Sequence, residues 1–222
     1  MHTKYQKTIV ITPIIAIMLI ISGCFNSNTS NSTPYYILSE EFSDYCWFEK
    51  GSYWVFQNDI TLVTDTIKIS DIVETKRFHN ENGGFNYQAV EMYTSTNGFD
   101  ITKYELTANN HEPELTSMNS LFRLYKNDGS YYLVFLPQYP MGESINMGDE
   151  IGTYTNVEIL NSFELNNISY QNVYHTRVVV SSTNTEYNYW IAKYHSLIKA
   201  TSKIDGQTTS ISVKSDHLIG VD

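Results

Sequence analysis

Leu121-Phe122-Arg123-Leu124-Tyr125-Lys126-Asn127-Asp128-Gly129-Ser130-Tyr131-Tyr132-Leu133-Val134-Phe135-Leu136 decides the fold class. Two apolar and aromatic runs, Leu121–Lys126 and Ser130–Leu136, flank Asn127-Asp128-Gly129. Asn, Asp and Gly accept positive φ at little cost, so this composition predicts a β-hairpin. The signature recurs where Ser162–Leu165 and Ile168–Tyr170 flank Asn166-Asn167, and where Ile198–Ile204 and Gln207–Val213 flank Asp205-Gly206. Gly83-Gly84, between Asn82 and Phe85, reads as a further hairpin turn.

Working outward, alternation marks the remaining strands. Tyr174, Thr176, Val178 and Val180 interleave with Val173, His175, Arg177 and Val179 in a long two-faced strand. Tyr187, Tyr189 and Ile191 oppose Asn188, Trp190 and Ala192. Tyr53–Phe56, Ile60–Thr64, Thr66–Lys76, Phe85–Thr94 and Phe99–Thr107 complete the set. No window of about 12 residues shows a 3.6-residue apolar stripe. About eleven strands with short turns and no crossover helices predict an all-β domain, a single antiparallel meander. So long a meander must hide its edges, which favours a strongly curved sheet or open barrel, with a β-sandwich as the alternative. The phase slip in Ile67-Lys68-Ile69-Ser70-Asp71-Ile72 predicts a bulge near Ser70-Asp71, and Phe99, Ile101, Tyr104, Leu106 show a similar slip. Charges on both strand faces exclude a membrane-spanning barrel.

The first 23 residues have a different character. Lys4 and Lys7 precede an apolar run from Ile9 to Ile21, and no acidic residue occurs before Cys24. As a helix this run would rise about 20 Å, short of the roughly 30 Å hydrocarbon core, so it fits a signal peptide rather than a membrane span. Ile20-Ile21-Ser22-Gly23-Cys24 resembles the lipobox of bacterial lipoproteins. That resemblance implies cleavage between Gly23 and Cys24, a diacylglyceryl group on the Cys24 thiol and usually a third chain on its amine. Two or more acyl chains anchor a protein stably to a membrane. Phe25-Asn26-Ser27-Asn28-Thr29-Ser30-Asn31-Ser32-Thr33-Pro34 is then a polar tether, whose nine residues from Asn26 reach at most about 30 Å. The chain therefore divides into a signal peptide (1–23), a lipidated Cys with its tether (24–34) and a β-domain (35–222). Phe25 is not Asp and no acidic cluster follows Cys24. Both features favour the periplasmic face of the outer membrane.

Charge narrows the partners. The chain carries 14 Lys and Arg against 24 Asp and Glu, a net −10. The signal segment holds two of those lysines and no acid, so the mature chain stands at −12. Scattered acidic charge argues against nucleic acid and against a polybasic membrane patch. With Cys24 lipidated, Cys46 has no disulfide partner. Its setting in Tyr45-Cys46-Trp47-Phe48 predicts a buried, unreactive thiol.

Two further segments carry a family resemblance. Phe48-Glu49-Lys50-Gly51-Ser52-Tyr53-Trp54-Val55-Phe56 is similar to the opening of a family of uncharacterised bacterial lipoproteins, apolar-x-x-Gly-x-aromatic-Trp. Tyr189-Trp190-Ile191-Ala192-Lys193-Tyr194-His195-Ser196-Leu197-Ile198-Lys199 is similar to its late aromatic-Trp-x-Ala-x-Gly-Val-Gly-Leu-Val-Lys pattern. Tyr194 and Ser196 replace that pattern's two glycines, so the turn there is expected to be made differently. The resemblance implies a lipobox and an all-β mature domain, with no activity attached. Trp54 and Trp190 are expected to be core anchors.

No positive signal for catalysis or cofactor binding occurs. His79, His111, His175, His195 and His217 are widely spaced, and His111-Glu112-Pro113-Glu114 is the densest candidate for a metal, short of four ligands. Nucleophile elbows, phosphate-cradling loops and dinucleotide fingerprints are missing from the sequence. Eighteen Tyr, ten Phe and three Trp are the one compositional excess, and β-propensity accounts for their placement. The expectation is a non-catalytic envelope lipoprotein, without cofactor or metal. Three roles stand open: an apolar ligand held in the concave face, a glycan held by exposed aromatics, or a scaffold for an envelope protein partner.

Overall fold

The computed structural model describes residues 33–80, 84–96, 98–110 and 119–220. The lipobox, most of the tether, Asn82-Gly83 and the His111–Glu114 segment lie outside them. Thirteen strands and one helix are described: β1 (Tyr35–Tyr36), α1 (Glu40–Cys46), β2 (Tyr53–Asn58), β3 (Thr64–His79), β4 (Phe85–Ser95), β5 (Lys103–Asn110), β6 (Asn119–Tyr125), β7 (Tyr131–Phe135), β8 (Ser144–Asn146), β9 (Thr153–Leu165), β10 (Ile168–Val180), β11 (Thr185–Ala192), β12 (Ser196–Ile204) and β13 (Gln207–His217). All belong to one sheet in the order β7-β6-β5-β4-β3-β2-β13-β12-β11-β10-β9-β8, with β1 added in parallel to β4. Every other pairing of strands is antiparallel. Two meanders, β2–β7 and β8–β13, thus meet where β2 pairs with β13.

The sheet curls without closing, as the curved-sheet expectation holds; a two-sheet sandwich does not form. Curvature comes from register shifts in six pairings, including the anticipated one between Ile69 and Asp71. Side chains then hold the curl. Among the described residues the outer edge of β7 has no strand partner, and three inward side chains from β9 and β10 bond to this edge and the segment after it instead. Thr176 Oγ1 donates to the Val134 carbonyl (2.7 Å), Leu136 N donates to Tyr154 Oη (3.0 Å), and Asn156 Nδ2 donates to the Leu136 and Tyr139 carbonyls (2.8 and 2.7 Å). Tyr154 Oη in turn donates to Asn156 Oδ1 at 2.5 Å. Tyr154, Asn156 and Thr176 are all fully buried. At the opposite edge β8 is only three residues long, which limits edge-to-edge pairing.

One core fills the concave side. Trp54, Phe56, Tyr104, Phe122, Phe135 and Tyr154 are among its largest buried side chains. The helix α1 plugs one end. Ser39 caps it by accepting from Phe42 N, and Glu40 and Glu41 sit in the first turn, where the helix dipole favours them. It turns Phe42, Tyr45 and Cys46 inward. Tyr45 packs against Phe135 and Tyr174, with ring centroids 5.4 Å apart in both pairs. Cys46 is buried, as expected, and burial drives its thiol well above its usual range.

Several local expectations are corrected. Ile60–Thr64 is not a strand: Asn58 Oδ1 accepts from Ile60 N and Thr61 N, which wraps residues 59–61 into a turn. Phe99–Ile101 precede β5, so their phase slip is a loop rather than a bulge. The runs 168–170 and 173–180 are one strand, bent at Asn172 (φ 52°). That bend carries the β9–β10 tip back across the sheet, where Asn166 Nδ2 donates to the Val213 carbonyl (2.8 Å). Trp190 lies on the opposite face from the core. It is sandwiched by His175 (centroids 4.5 Å apart) and Phe163 (6.1 Å), with Lys199 Nζ 5.2 Å from the ring centre.

Candidate functional site: an apolar cleft at the open end of the curl

With α1 closing one end, the concave face remains open at the other. A cleft of about 360 Å³ lies there, walled by Phe56 of β2, Ile67 of β3, Leu124 of β6, Tyr189 of β11, Leu197 of β12 and Ile211 of β13. Each wall residue is an inward member of an alternating strand, which is why six strands converge on one apolar space. Ala200 sits between Tyr189 and Ile211 in the register, and its small side chain leaves the room. The volume falls at the lower end of the roughly 300–1,000 Å³ typical of small-molecule sites.

The lining also carries polar side chains, among them Asp100, Lys126, Thr201, Ser202 and Thr209. Tyr132 and Tyr187 meet edge to face at 5.2 Å, and Lys126 Nζ lies 4.9 Å from the Tyr132 ring centre. Asp100 lines the same rim. Burial raises the Tyr132 phenol above its usual range and the Asp100 charge adds to the effect. Desolvation also raises Tyr187, and drives Tyr189 well up. These hydroxyls stay neutral at physiological pH, so the cleft presents an uncharged wall with one cation and one anion at its entrance.

The opposite face of β3–β6 holds an ion-pair network instead. Arg77 bridges Glu105 (2.8 Å) and Glu91 (3.1 Å), Lys103 pairs with Glu91, and Arg123 pairs with Glu105 (3.4 Å). Tyr125 Oη donates to Glu105 as well (2.9 Å), which, after desolvation, contributes to raising that phenol. Every carboxylate here is matched to a cation, so the arrangement is structural.

Two of the described histidines are held by carboxylate and aromatic neighbours. His175 contacts Glu158 (3.4 Å) and Asn188 (3.0 Å) while stacked on Trp190. His195 Nδ1 pairs with Asp216 Oδ2 (2.8 Å) and meets Tyr170 edge on. The adjacent Ser196 hydroxyl is buried without a hydrogen-bond partner, so it is not hydrogen-bonded to His195. Among the described residues no group of three or more His, Cys, Asp or Glu is placed to hold a metal ion. His111, Glu112 and Glu114 fall outside them.

The β11–β12 turn contradicts its expectation. It was expected to be made differently without glycines, yet Tyr194 (φ 65°) and Ser196 (φ 63°) both adopt the left-handed region. Tertiary contacts hold them there: Tyr194 N donates to the Asp44 carbonyl (2.7 Å), Lys193 pairs with Asp44 (3.0 Å), and Trp54 Nε1 donates to the His195 carbonyl (2.7 Å). A non-glycine residue in this region costs of order 1–3 kcal/mol. Ser196→Gly removes both that strain and a buried unpaired hydroxyl. The expected gain is about 1 kcal/mol after the added freedom of the unfolded chain, read as a rise of about 2–4 °C in thermal unfolding.

No protein-family model matches the chain, and no curated protein matches it. Among solved structures it is similar to a crystal structure described as a "putative lipoprotein" from Parabacteroides distasonis. The two share 9% identity with a TM-score of 0.34, over 78% of this chain and 99% of that one. At so loose a likeness, the reading of this chain rests on its own residues.

Proposed function

We propose that this chain is a lipid-anchored protein of the cell envelope whose β-domain holds an apolar ligand in the concave cleft, without catalysing a reaction on it. The single observation behind the ligand is the cleft itself: an open apolar space of about 360 Å³ at one end of an otherwise filled core. A protein with no ligand has no need to leave such a space, since each buried methylene left out of a core forfeits about 0.8 kcal/mol. A mainly apolar wall with Lys126 and Asp100 as its charged lining residues suits a ligand with an apolar tail and a polar head. A glycan reading is less well supported, because the Trp190 ring is already packed against His175, Phe163 and Lys199.

Native mass spectrometry tests this on the mature chain from residue 24, carrying Cys24→Ser so that no acyl chain is attached. The chain is expected to retain a small apolar molecule, or to take up an added fatty acid. Ala200→Trp, which fills the cleft, is expected to abolish that adduct while thermal unfolding shows a folded protein. Equal occupancy of both proteins, or of neither after incubation with fatty acid, overturns the cleft reading.

The anchor rests on Ile20-Ile21-Ser22-Gly23-Cys24, and the proposed placement on the periplasmic face of the outer membrane rests on Phe25 in place of Asp and on the lack of an acidic cluster after Cys24. Loss of two or more acyl chains removes many kcal/mol of membrane affinity. The full-length Cys24→Ser protein is accordingly expected to leave the acylated fraction and gain no palmitate label. Unaltered labelling would remove Cys24 as the site.

A further inference from the structure

Three apolar side chains of this chain's β2–β3 turn stand in solvent. Ile60, Leu62 and Val63 are 65%, 65% and 67% exposed, far more than a hairpin turn needs. The turn is rigidly built. Leu62 N donates to the Asn58 carbonyl (2.8 Å), Asn58 N donates to the Val63 carbonyl (2.9 Å), and Gln57 Nε2 donates to the Leu62 carbonyl (2.9 Å). Leu62 itself sits at φ 62°, a conformation uncommon for a bulky residue. A collapsing apolar side chain has no reason to be held outward at such a cost.

The tip borders the cleft. Phe56, two residues before Asn58, is a wall residue, and so is Ile211, which pairs with Asn58. Asp59 N donates to the Ser210 carbonyl (2.9 Å), which ties the tip to the β13 side of the mouth. Its carboxylate accepts from the Ser210 and Ser212 hydroxyls, both at 2.5 Å, and is therefore turned back toward β13. Ile204, at the neighbouring β12–β13 turn, is 47% exposed.

We infer that this tip inserts into a lipid bilayer surface and brings the cleft mouth against it, so that an apolar ligand passes between membrane and protein without crossing water. A bilayer is favoured over a protein partner by shape. A stable protein interface needs roughly 800 Å² from each side, whereas three side chains on one narrow turn offer a point. Points of this kind enter the headgroup–acyl boundary, where only their apolar groups are buried. The inference rests on the cleft reading for its purpose, though not for its geometry.

Flotation with vesicles of phosphatidylcholine alone tests it, on the mature Cys24→Ser chain. The chain is expected to co-float, and to do so equally at high salt, because apolar burial is not screened. Ile60→Ser and Leu62→Asn are each expected to weaken flotation about tenfold or more. Asn accepts positive φ, so Leu62→Asn remains folded and still retains ligand in the native mass spectrum. Ala200→Trp is expected to float like the parent; if it floats but the parent retains no ligand, the cleft reading alone fails. Absence of parent flotation, or tip variants that float unchanged, overturns the inference. A parent dimer that Leu62→Asn converts to monomer overturns it too, assigning the tip to a second copy.

Discussion

Asn156→Ala is expected to destabilise the domain by about 3–5 kcal/mol, lowering the thermal midpoint by roughly 10 °C or more for a chain of this size. The size of the effect follows from what one side chain does. Its Nδ2 serves two carbonyls, those of Leu136 and Tyr139, and its Oδ1 accepts from Tyr154 Oη. Truncation leaves acceptors beside the β7 edge without a donor and a phenol without its acceptor, at about 1–3 kcal/mol for each buried group. Tyr154 cannot relieve the loss by ionising, since burial holds its phenol far above its usual range. The same groups tie β7 to β9, so the variant is also expected to lose protection from hydrogen exchange at Leu136 before the sheet as a whole unfolds. A midpoint within about 2 °C of the parent would show that the curl is held by something other than this network.

Trp54→Ala is expected to cost about 3–5 kcal/mol, the range for emptying a buried large aromatic site. Trp54 is 1% exposed, meets Phe48 edge to face at 5.1 Å and lies 5.9 Å from Tyr104. Its indole nitrogen also holds the His195 carbonyl, the residue between the two positive-φ positions of the β11–β12 turn. Loss of Trp54 therefore releases that turn as well as opening a cavity. Ser196→Gly, which relaxes the turn directly, is expected to stabilise Trp54→Ala by an amount different from its gain in the parent, because the turn it relaxes is already released. Denaturant unfolding of the two single variants and the double variant measures this; strict additivity would mean that Trp54 acts through packing alone. Trp190→Ala is expected to cost less than Trp54→Ala, because Trp190 is only partly buried whereas Trp54 is fully buried.

The pair of tryptophans shows what the amino-acid sequence reveals and what it hides. Both occur in alternating strands beside other aromatics, and alternation shows that a strand has two faces without saying which one is filled. At Trp190 the outer face is also packed, because the β9–β10 tip folds across it from Asn172. No local pattern announces that fold-back. Turns were more legible. Asn166-Asn167 and Asp205-Gly206 take the positive φ values that their composition requires, since few other residue types accept them cheaply. Tyr194 and Ser196 take positive φ without that composition, and only their tertiary partners, Asp44 and Trp54, explain it.

Length sets another limit. The seven residues of α1 span two turns, too few for a 3.6-residue period to emerge, although Ser39 followed by Glu40 and Glu41 is a helix-start signal. The apolar run Ile60-Thr61-Leu62-Val63 imitates a strand, and the Asn58 side chain converts it into a turn. The cleft was anticipated only as a concave face. Its position depends on Ala200 lying opposite Tyr189 and Ile211, a matter of register between strands and invisible along any one of them.

Photolabelling tests the central claim most directly. A fatty acid with a diazirine at its terminal carbon is equilibrated with the mature Cys24→Ser chain, irradiated, and the modified residues are located by peptide mass spectrometry. The account predicts adducts on the inner wall at Phe56, Leu197 or Ile211, displaced by excess unlabelled fatty acid and absent in Ala200→Trp. Adducts confined to the Trp190 and Phe163 face, or scattered over the surface without displacement, would contradict it.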